Sequence, residues 1–492
     1  MKKIIILSVL LLILWNGPVY PKKAPTVDEW KLQFKKFSEI YRLIKTYYPE
    51  KFDVEKLFYA SIGGLLKKLD PHSYFLDPVA VRSLNEDQQG NYYGIGTRIT
   101  KYDDRLTVVA LLKDTPAYKL GIMAGDVIAE IDGEDTRSLS LDDAMKLLRG
   151  AKGTYVSIKI RREGIADLIP FKIQRAEIPL DSISYALTLK GAPEIGFISI
   201  RTFGNTTAKE FKEKVDKLIK KDKIKALIID LRGNAGGALY AAIDLAEFFL
   251  AKGKIIVSVK GRTYEQSYTA KNNGEYEDLP AAVLINRGSA SASEIVAAAL
   301  QDHKRASIIG SRSWGKGLVQ TLNRLSMNSS VALTTAKYYT PTNKSLQRDF
   351  DERDDYFFFL NSNTDYDTDK SIEGGVIPDF PVKSENYPEL IIDFISRGLF
   401  FEFARHLIND GYPVTPDFKA NAEIMEKFKK FLKKEKVTYD AGKFTKHIKS
   451  IRLEIEREVL SGKFSLEEGI KIYLESDPVT QKAVGVLKNK YN

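Results

Sequence analysis

From Ile178 onward, apolar runs of strand length alternate with segments of helix length, and this alternation constrains the fold of the 492-residue chain more than any other feature. The runs are Ile195 to Ile200, Ile224 to Leu231, Ile255 to Val259 and Ala281 to Asn286. Between them lie a charged helix through Lys221 and an apolar one from Leu239 to Leu250. Such an order predicts an α/β core with helices packed against the sheet. The chain is too long for one core, so three or more units are expected. Ahead of the core, apolar residues from Thr26 to Leu69 recur at three and four, as in amphipathic helices. A turn-rich connector follows from Asp70 to Pro78, and Tyr92 to Glu163 carries short alternating strands punctuated by glycines, a small mixed domain. After Tyr387 the pattern is helical and charge-rich to the end, and the acidic stretch Asp349 to Asp369 reads as a surface insertion in the core. The expected organisation is a signal peptide or N-terminal anchor over 1–24, a helical segment over 25–78, the small domain over 79–176, the α/β core over 177–384 and a helical C-terminal region over 385–492.

The first residues, Met1-Lys2-Lys3, precede an apolar run from Ile4 to Trp15 and then Asn16-Gly17-Pro18, the charged, apolar and helix-breaking order of a secretory signal. Export to the periplasm or cell envelope is therefore expected, with cleavage favoured over an uncleaved anchor because the apolar run is short for a membrane span. The chain has no cysteine, which excludes disulfides, thiolate metal sites, a lipidated cysteine and a cysteine nucleophile. The formal charge of +10 is spread along the sequence, and its densest basic run, Lys427 to Lys436, reads as a solvated helix face and not as a nucleic-acid surface.

Chemistry concentrates in two segments. In Val283-Leu284-Ile285-Asn286-Arg287-Gly288-Ser289-Ala290-Ser291-Ala292-Ser293-Glu294-Ile295 a buried strand ends in a glycine turn and opens a small-residue helix. Such a turn sets a hydroxyl at a helix N-terminus, where unpaired N–H groups and the dipole stabilise developing negative charge. Serines also cap helices with no chemistry required, and the segment by itself favours that role. The second segment is Ser313-Trp314-Gly315-Lys316-Gly317 with Gln320 beyond it, after the strand ending Ile308-Ile309-Gly310. A lysine drawn into a dry cleft loses preference for its charged form and becomes a usable base, although an exposed turn lysine is the commoner outcome. A third turn, Arg232-Gly233-Asn234-Ala235-Gly236-Gly237, follows the strand through Asp230-Leu231; it lacks the Gly-Lys-Ser/Thr and G-x-G-x-x-G patterns of nucleotide sites. Asp230 and Arg232 read as residues that hold this turn. Of the four histidines, His72, His303, His406 and His447, none is placed to serve a Ser-His-Asp triad, and no cluster has metal-ligand spacing.

Together the first two segments resemble the C-terminal processing peptidases, or tail-specific proteases, which use a Ser-Lys dyad. The resemblance implies that Ser291 is the nucleophile, Lys316 the general base and Gln320 the residue that orients it, with the N–H groups of Gly237 and Ala292 as oxyanion hole and Gly236 as fallback for the first donor. It also implies a catalytic core of the crotonase/ClpP-like kind, an inserted PDZ domain and no cofactor.

The small domain supports this. Tyr92-Tyr93-Gly94-Ile95-Gly96-Thr97 offers consecutive backbone N–H groups for an anion, and the order that follows, through Thr115-Pro116-Ala117, Ala124-Gly125-Asp126-Val127-Ile128, Ile131-Asp132-Gly133 and the helix Leu141 to Leu148, resembles a bacterial PDZ domain. The implied contact is a substrate C-terminus added as a strand beside Gly94, Ile95, Gly96 and Thr97, its last side chain in an apolar pocket of Ile95, Ala144, Met145 and Leu148, with ordinary core packing an equal reading for Met145 and Leu148. Arg149 reads as a surface turn residue. The expected protein is an exported serine endopeptidase acting on protein or peptide substrates with free apolar C-termini. An adaptor or activator protein and self-association through the C-terminal helices are further expectations. The rivals are a non-catalytic PDZ adaptor or holdase on the same scaffold, which has no need of Ser291, Lys316 and Gln320 together, and a crotonase-type acyl-CoA enzyme, which the export signal and PDZ module disfavour.

Overall fold

A computed structural model describes residues 27–348, 374–383 and 387–491. The expected signal segment and the acidic insertion lie outside them. Among the described residues no helix is long and apolar enough to cross a membrane. The chain divides into two compact units, 1–61 and 62–492. In the first, helix α1 (Val27–Tyr47) is followed by α2 (Val54–Leu66), which runs into the second unit. The Tyr41 ring stacks on Phe58 with centroids 4.0 Å apart, and its hydroxyl donates to Ser61 Oγ at 2.7 Å.

The second unit begins with a strand that the sequence concealed. β1 (Tyr74–Leu76) sits in the segment read as connector, and α3 (Pro78–Gln89) follows, capped by the Asp77 carboxylate at the Ala80 N–H. β2 (Asn91–Gly94) then enters the small domain, and β9 (Ala176–Pro179) leaves it antiparallel to β2. Zipping the two crossings together lets a complete domain sit within a longer chain. Its strands are β3 (Thr97–Tyr102), β4 (Arg105–Leu111), β5 (Val127–Ile131), β6 (Glu134–Asp135), β7 (Tyr155–Arg161) and β8 (Ile169–Gln174), in sheet order β3-β4-β5-β7-β8 with β6 on β5. Strict alternation of buried and exposed residues along β7 shows why Val156, Ile158 and Ile160 face inward, where they meet Leu106, Val108 and Ile128. Short α4 (Pro116–Lys119) and α5 (Leu141–Leu148) close the domain, the latter capped by Ser140 at the Asp143 N–H.

The α/β core follows as β10 (Ile183–Leu189), β11 (Ala192–Ile200), α6 (Thr207–Lys217), β12 (Ala226–Asp230), α7 (Leu239–Glu247), β13 (Ile255–Gly261), β14 (Glu265–Thr269), β15 (Ala281–Ile285), α8 (Ala292–Asp302), β16 (Ala306–Gly310), β17 (Leu318–Arg324), β18 (Ser330–Tyr339) and β19 (Phe380–Pro381). Six strands form one sheet in the order β10-β11-β12-β15-β16-β19, antiparallel only at β10/β11. β12, β15 and β16 are buried at every position, as strands covered on both faces must be. One face packs on α7 and α8 through residues such as Ile243, Leu245, Ile295 and Val296. The second is covered from the far end of the sequence.

There α9 (Glu389–Ser396), α10 (Leu399–Asn409), α11 (Ala422–Lys434), α12 (Ala441–Lys446) and α13 (Ile448–Lys463) bury an aromatic core of their own around Phe394, Phe400, Phe403 and Phe428. α14 (Leu466–Ser476) and α15 (Pro478–Tyr491) then lay Leu474, Val479, Ala483 and Leu487 on Phe197, Ile228 and Leu284 of the sheet. Burying a leucine, valine, isoleucine or phenylalanine in this way contributes about 1.5–3 kcal/mol. These helices therefore close the core. A second sheet, β1-β18-β13-β14 with β17 paired to β18, carries the long β17/β18 hairpin.

Candidate active site

Three turns meet at the C-terminal ends of the parallel strands, where open α/β sheets place their ligands. The first joins β15 to α8. Asn286 Oδ1 accepts the N–H groups of Gly233 and Gly288, both at 2.9 Å, tying this turn to the one after β12. Of its three serines, Ser289 donates its hydroxyl to Leu231 O at 2.7 Å and Ser293 donates to Asn234 O at 2.8 Å; both are completely buried. Ser291 is half-exposed, immediately precedes α8, and has φ 55° and ψ −113°. An L-residue in that conformation stores about 1–3 kcal/mol, a strain that persists only where the surroundings impose it and that clusters at functional sites.

Glu294, one turn into α8, imposes it. Its carboxylate is fully buried and takes four hydrogen bonds: from the N–H groups of Ser291 (2.7 Å), Gly315 (2.6 Å) and Lys316 (2.9 Å), and from the Ser313 hydroxyl (2.5 Å). Burial pushes its carboxyl up, and the four donors oppose that shift. Each oxygen accepts twice, from Ser291 and Lys316 on one and from Ser313 and Gly315 on the other. One side chain thus fixes Ser291 and Lys316, 25 residues apart by number, through their own backbones. Nothing in the run from Ser289 to Ile295 marks this role for Glu294, because its partners Gly315 and Lys316 lie in another segment.

The Lys316 ammonium is held below the ordinary lysine range, chiefly by burial, with the carboxylates of Glu294 and Asp70 pulling the other way. Asp70 belongs to the segment before β1. It accepts from the His72 N–H, the Ser73 N–H and hydroxyl (2.7 Å each) and the Thr334 hydroxyl (3.2 Å). Thr334 lies opposite Gln320 in the β17/β18 ladder, beside an irregularity between Val319 and Gln320, and the Gln320 amide nitrogen is buried with no partner among the described residues. His72, read as a turn residue, is in fact buried here. Burial and the Lys316 charge depress its pKa to about 4 against the pull of Asp70, so its ring is neutral near pH 7. By contrast His303 caps the far end of α8, its Nε2 2.7 Å from Ile255 O.

The third turn follows β12. Asn234 is buried; its Oδ1 accepts the Gly236 N–H at 2.8 Å and its amide donates to Ile200 O at 2.9 Å. The fallback donor Gly236 is therefore already engaged. Gly237 forms a parallel bridge with Phe203, in which Phe203 N–H donates to Gly236 O and Ala238 N–H to Phe203 O, so the N–H of Gly237 faces away from Phe203. With φ 146° and space for a Cβ only 2.1 Å from Phe203 O, position 237 admits glycine alone. A Cβ on Gly236 would lie 2.9 Å from both Ser291 Cβ and Ala292 N, which sets this turn directly against the start of α8.

Arg232 anchors the same turn from behind. Its guanidinium donates to both oxygens of Asp230 (2.9 Å each) and to Asp477 Oδ2 (2.7 Å) at the start of α15. Asp477 is buried and also accepts the Thr480 hydroxyl at 2.6 Å. Because Asp477→Ala leaves the Thr480 hydroxyl and one Arg232 N–H without their acceptor while Arg232 keeps Asp230, it is expected to lower the unfolding free energy by about 1–3 kcal/mol. A urea midpoint equal to the parent's would overturn that expectation.

In the small domain, a cavity of about 270 Å³ runs along the free edge of β3 and is lined by Gly94, Ile95, Gly96, Thr97, Met145 and Leu148 among others. The loop carbonyls are spent inward, Ile95 O on the Ala117 N–H (2.9 Å) and Gly96 O on the Leu112 N–H (3.0 Å). Gly96, at φ 84°, would put a Cβ 2.2 Å from Thr115 Cβ, so the loop needs glycine there. Ala144 belongs to the domain core and is not part of the lining. Arg149, expected at the surface, lines the cavity 4.5 Å over the Tyr92 ring and 3.7 Å from Glu86.

Comparison with known proteins gives this geometry its context. Residues 194–352 match peptidase family S41, and residues 107–162 match the PDZ domain. A carboxy-terminal-processing protease of Bartonella bacilliformis is 38% identical over 320 residues, 64% of this chain and 73% of that protein. The carboxy-terminal processing protease CtpA of Bacillus subtilis is 34% identical over 331 residues, 67% of this chain and 70% of the relative. Among solved structures, a photosystem II D1 C-terminal processing protease aligns at 28% identity with a TM-score of 0.39, covering 70% of this chain and 86% of its own. The chain therefore belongs to the carboxy-terminal processing proteases, as a serine-type peptidase of family S41 that carries a PDZ domain.

Proposed function

We propose that this peptidase is an exported endopeptidase that captures the C-terminus of a protein on its PDZ domain and cleaves nearby with a Ser291–Lys316 dyad. The observation that carries the dyad is the Glu294 carboxylate, which holds strained Ser291 and desolvated Lys316 to one point. In this reading neutral Lys316 Nζ takes the Ser291 proton as Oγ attacks the scissile carbonyl carbon. Negative charge gathers on the carbonyl oxygen, where the N–H groups of Gly237 and Ala292 receive it. Collapse breaks the C–N bond, the leaving amine takes the proton from Lys316, and the acyl-enzyme ester remains. Water, deprotonated by the same lysine, then attacks the ester and releases the new carboxylate and Ser291. Gln320, whose amide nitrogen is buried without a partner among the described residues, orients the lysine from β17.

On the PDZ side, the substrate tail adds to the open edge of β3, its carboxylate on the N–H groups of the Gly94-Ile95-Gly96-Thr97 loop and its last side chain between Ile95, Met145 and Leu148. The same reading assigns 1–24 to a signal or anchor, 25–78 to the helical lead, 79–176 to the PDZ domain, 177–384 to a crotonase/ClpP-like core and 385–492 to the helical C-terminal region. It places the protein in the periplasm or cell envelope, with an adaptor or activator protein as partner and self-association through the C-terminal helices.

The test is cleavage of an unfolded protein with an apolar last residue. The parent is expected to cut it, Ser291→Ala to lose at least about a thousandfold in rate, and amidation of the substrate's end to slow the parent. Equal rates for parent and Ser291→Ala would exclude the dyad, and indifference to amidation would exclude tail capture.

A further inference from the structure

The cavity on β3 is more cationic than capture of a single carboxylate requires. Three arginines line it, Arg98, Arg149 and Arg201, against one carboxylate, Asp181. Arg149 is partly balanced by Glu86 and occupied with the Tyr92 face. The other two are not. Arg98 stands exposed on β3, next to a register irregularity between Arg98 and Ile99, and it has no carboxylate partner among the described residues. Arg201, at the end of β11, is steadied by backbone carbonyls alone: its guanidinium donates to Asp181 O at 3.1 and 3.3 Å and to Leu180 O at 3.5 Å, so its charge is oriented but unneutralised.

A peptide strand added to β3 with its end at Gly96 must pass Arg98 within its next few residues, because strands advance about 3.3 Å per residue. Its outward side chains then lie between Arg98 on the PDZ sheet and Arg201 on the wall formed by the protease core. We propose that this groove selects protein tails bearing an acidic side chain just upstream of an apolar last residue, read by Arg98 with Arg201 facing it. The proposal rests on tail capture by the PDZ domain and adds to it a substrate class: chain ends that are apolar at the tip and acidic immediately before it. Basic tails are rejected by the same two charges.

Labelled peptides that share one apolar last residue and differ only in carrying Glu or Lys at the second- and fourth-last positions test this by anisotropy. The full chain carries Ser291→Ala so that nothing is cut. The Glu peptide is expected to bind about fivefold more tightly than the Lys peptide at low salt, as for a solvent-exposed ion pair, with the gap closing at high salt. Arg98→Glu, whose exposed position leaves the fold intact, should invert the order, and Arg98→Glu with Arg201→Glu should invert it further. Unchanged thermal melts show that these variants are folded. Equal affinities for the two peptides, or a preference that survives both reversals, would overturn the proposal. An amidated Glu peptide separates the two levels: if it binds as well as the free acid, tail capture itself fails, whereas a strict need for the free end with no charge preference removes only the acidic selectivity.

Discussion

Glu294→Gln is expected to reduce kcat/KM by about a hundredfold or more, although the exchange is nearly isosteric. Glutamine keeps one accepting oxygen and replaces the other with an NH₂ that can only donate. Whichever way the amide turns, a backbone donor now faces another donor: Ser291 N–H together with Lys316 N–H in one orientation, or Gly315 N–H in the other, where Ser313 Oγ can turn to accept from the new NH₂. A buried donor left unsatisfied costs about 1–3 kcal/mol, so the two turns separate to recover water. A loss of that size in an alignment residue appears in kcat more than in KM, since the PDZ contacts with substrate are untouched. Glu294→Asp keeps the charge and restores neither distance, so it should not rescue. Steady-state kinetics on a soluble unfolded substrate, with a melt to show that the variant is folded, decides the matter. Parent-like kcat in the glutamine variant would mean that Glu294 is only a helix cap.

Lys316→Ala is expected to abolish turnover, by at least about a thousandfold, and the pH profile of the parent gives the more specific test. In the proposed dyad the active form of this lysine is neutral, so rate should rise with pH through its pKa. Burial holds that pKa below the ordinary value of 10.5, which brings the rising limb down in pH. Asp70 opposes the shift by stabilising the ammonium. Removing its charge in Asp70→Asn must therefore lower the lysine pKa further and move the rising limb to lower pH, while the plateau rate changes far less than in Lys316→Ala. A limb that stays in place, or moves to higher pH, would show that the titrating base is not the lysine beside Asp70.

The parts of this site that could be read in the sequence are those that local backbone geometry dictates. A helix opening straight from a buried strand needs small residues, which marked the Ser289 to Ser293 run, and a lysine between two glycines marked position 316. Contacts between distant segments left no such trace. Glu294 belongs to the quoted run, yet its partners Gly315 and Lys316 lie 21 and 22 residues further on. Arg232 could be assigned to its own turn from Asp230 nearby, but Asp477 is 245 residues away and leaves no periodicity behind. His72 and Asp70 were hidden because Asp-Pro-His-Ser reads as a turn; only the pairing of β1 with β18 carries that turn to Lys316 and Thr334. β17 was missed for a different reason: past Gln320 its residues face solvent, so no apolar alternation announces it.

An edge strand left open to receive a guest is also open to every other strand, including the same edge of another molecule. β3 is such an edge, and it must remain vacant whenever substrate is scarce. Two copies approaching edge to edge would bring Arg98 toward Arg98 and Arg201 toward Arg201, like charges that a neutral or acidic intruder does not face. The unmatched arginines thereby oppose edge-to-edge pairing of two such grooves through like-charge repulsion.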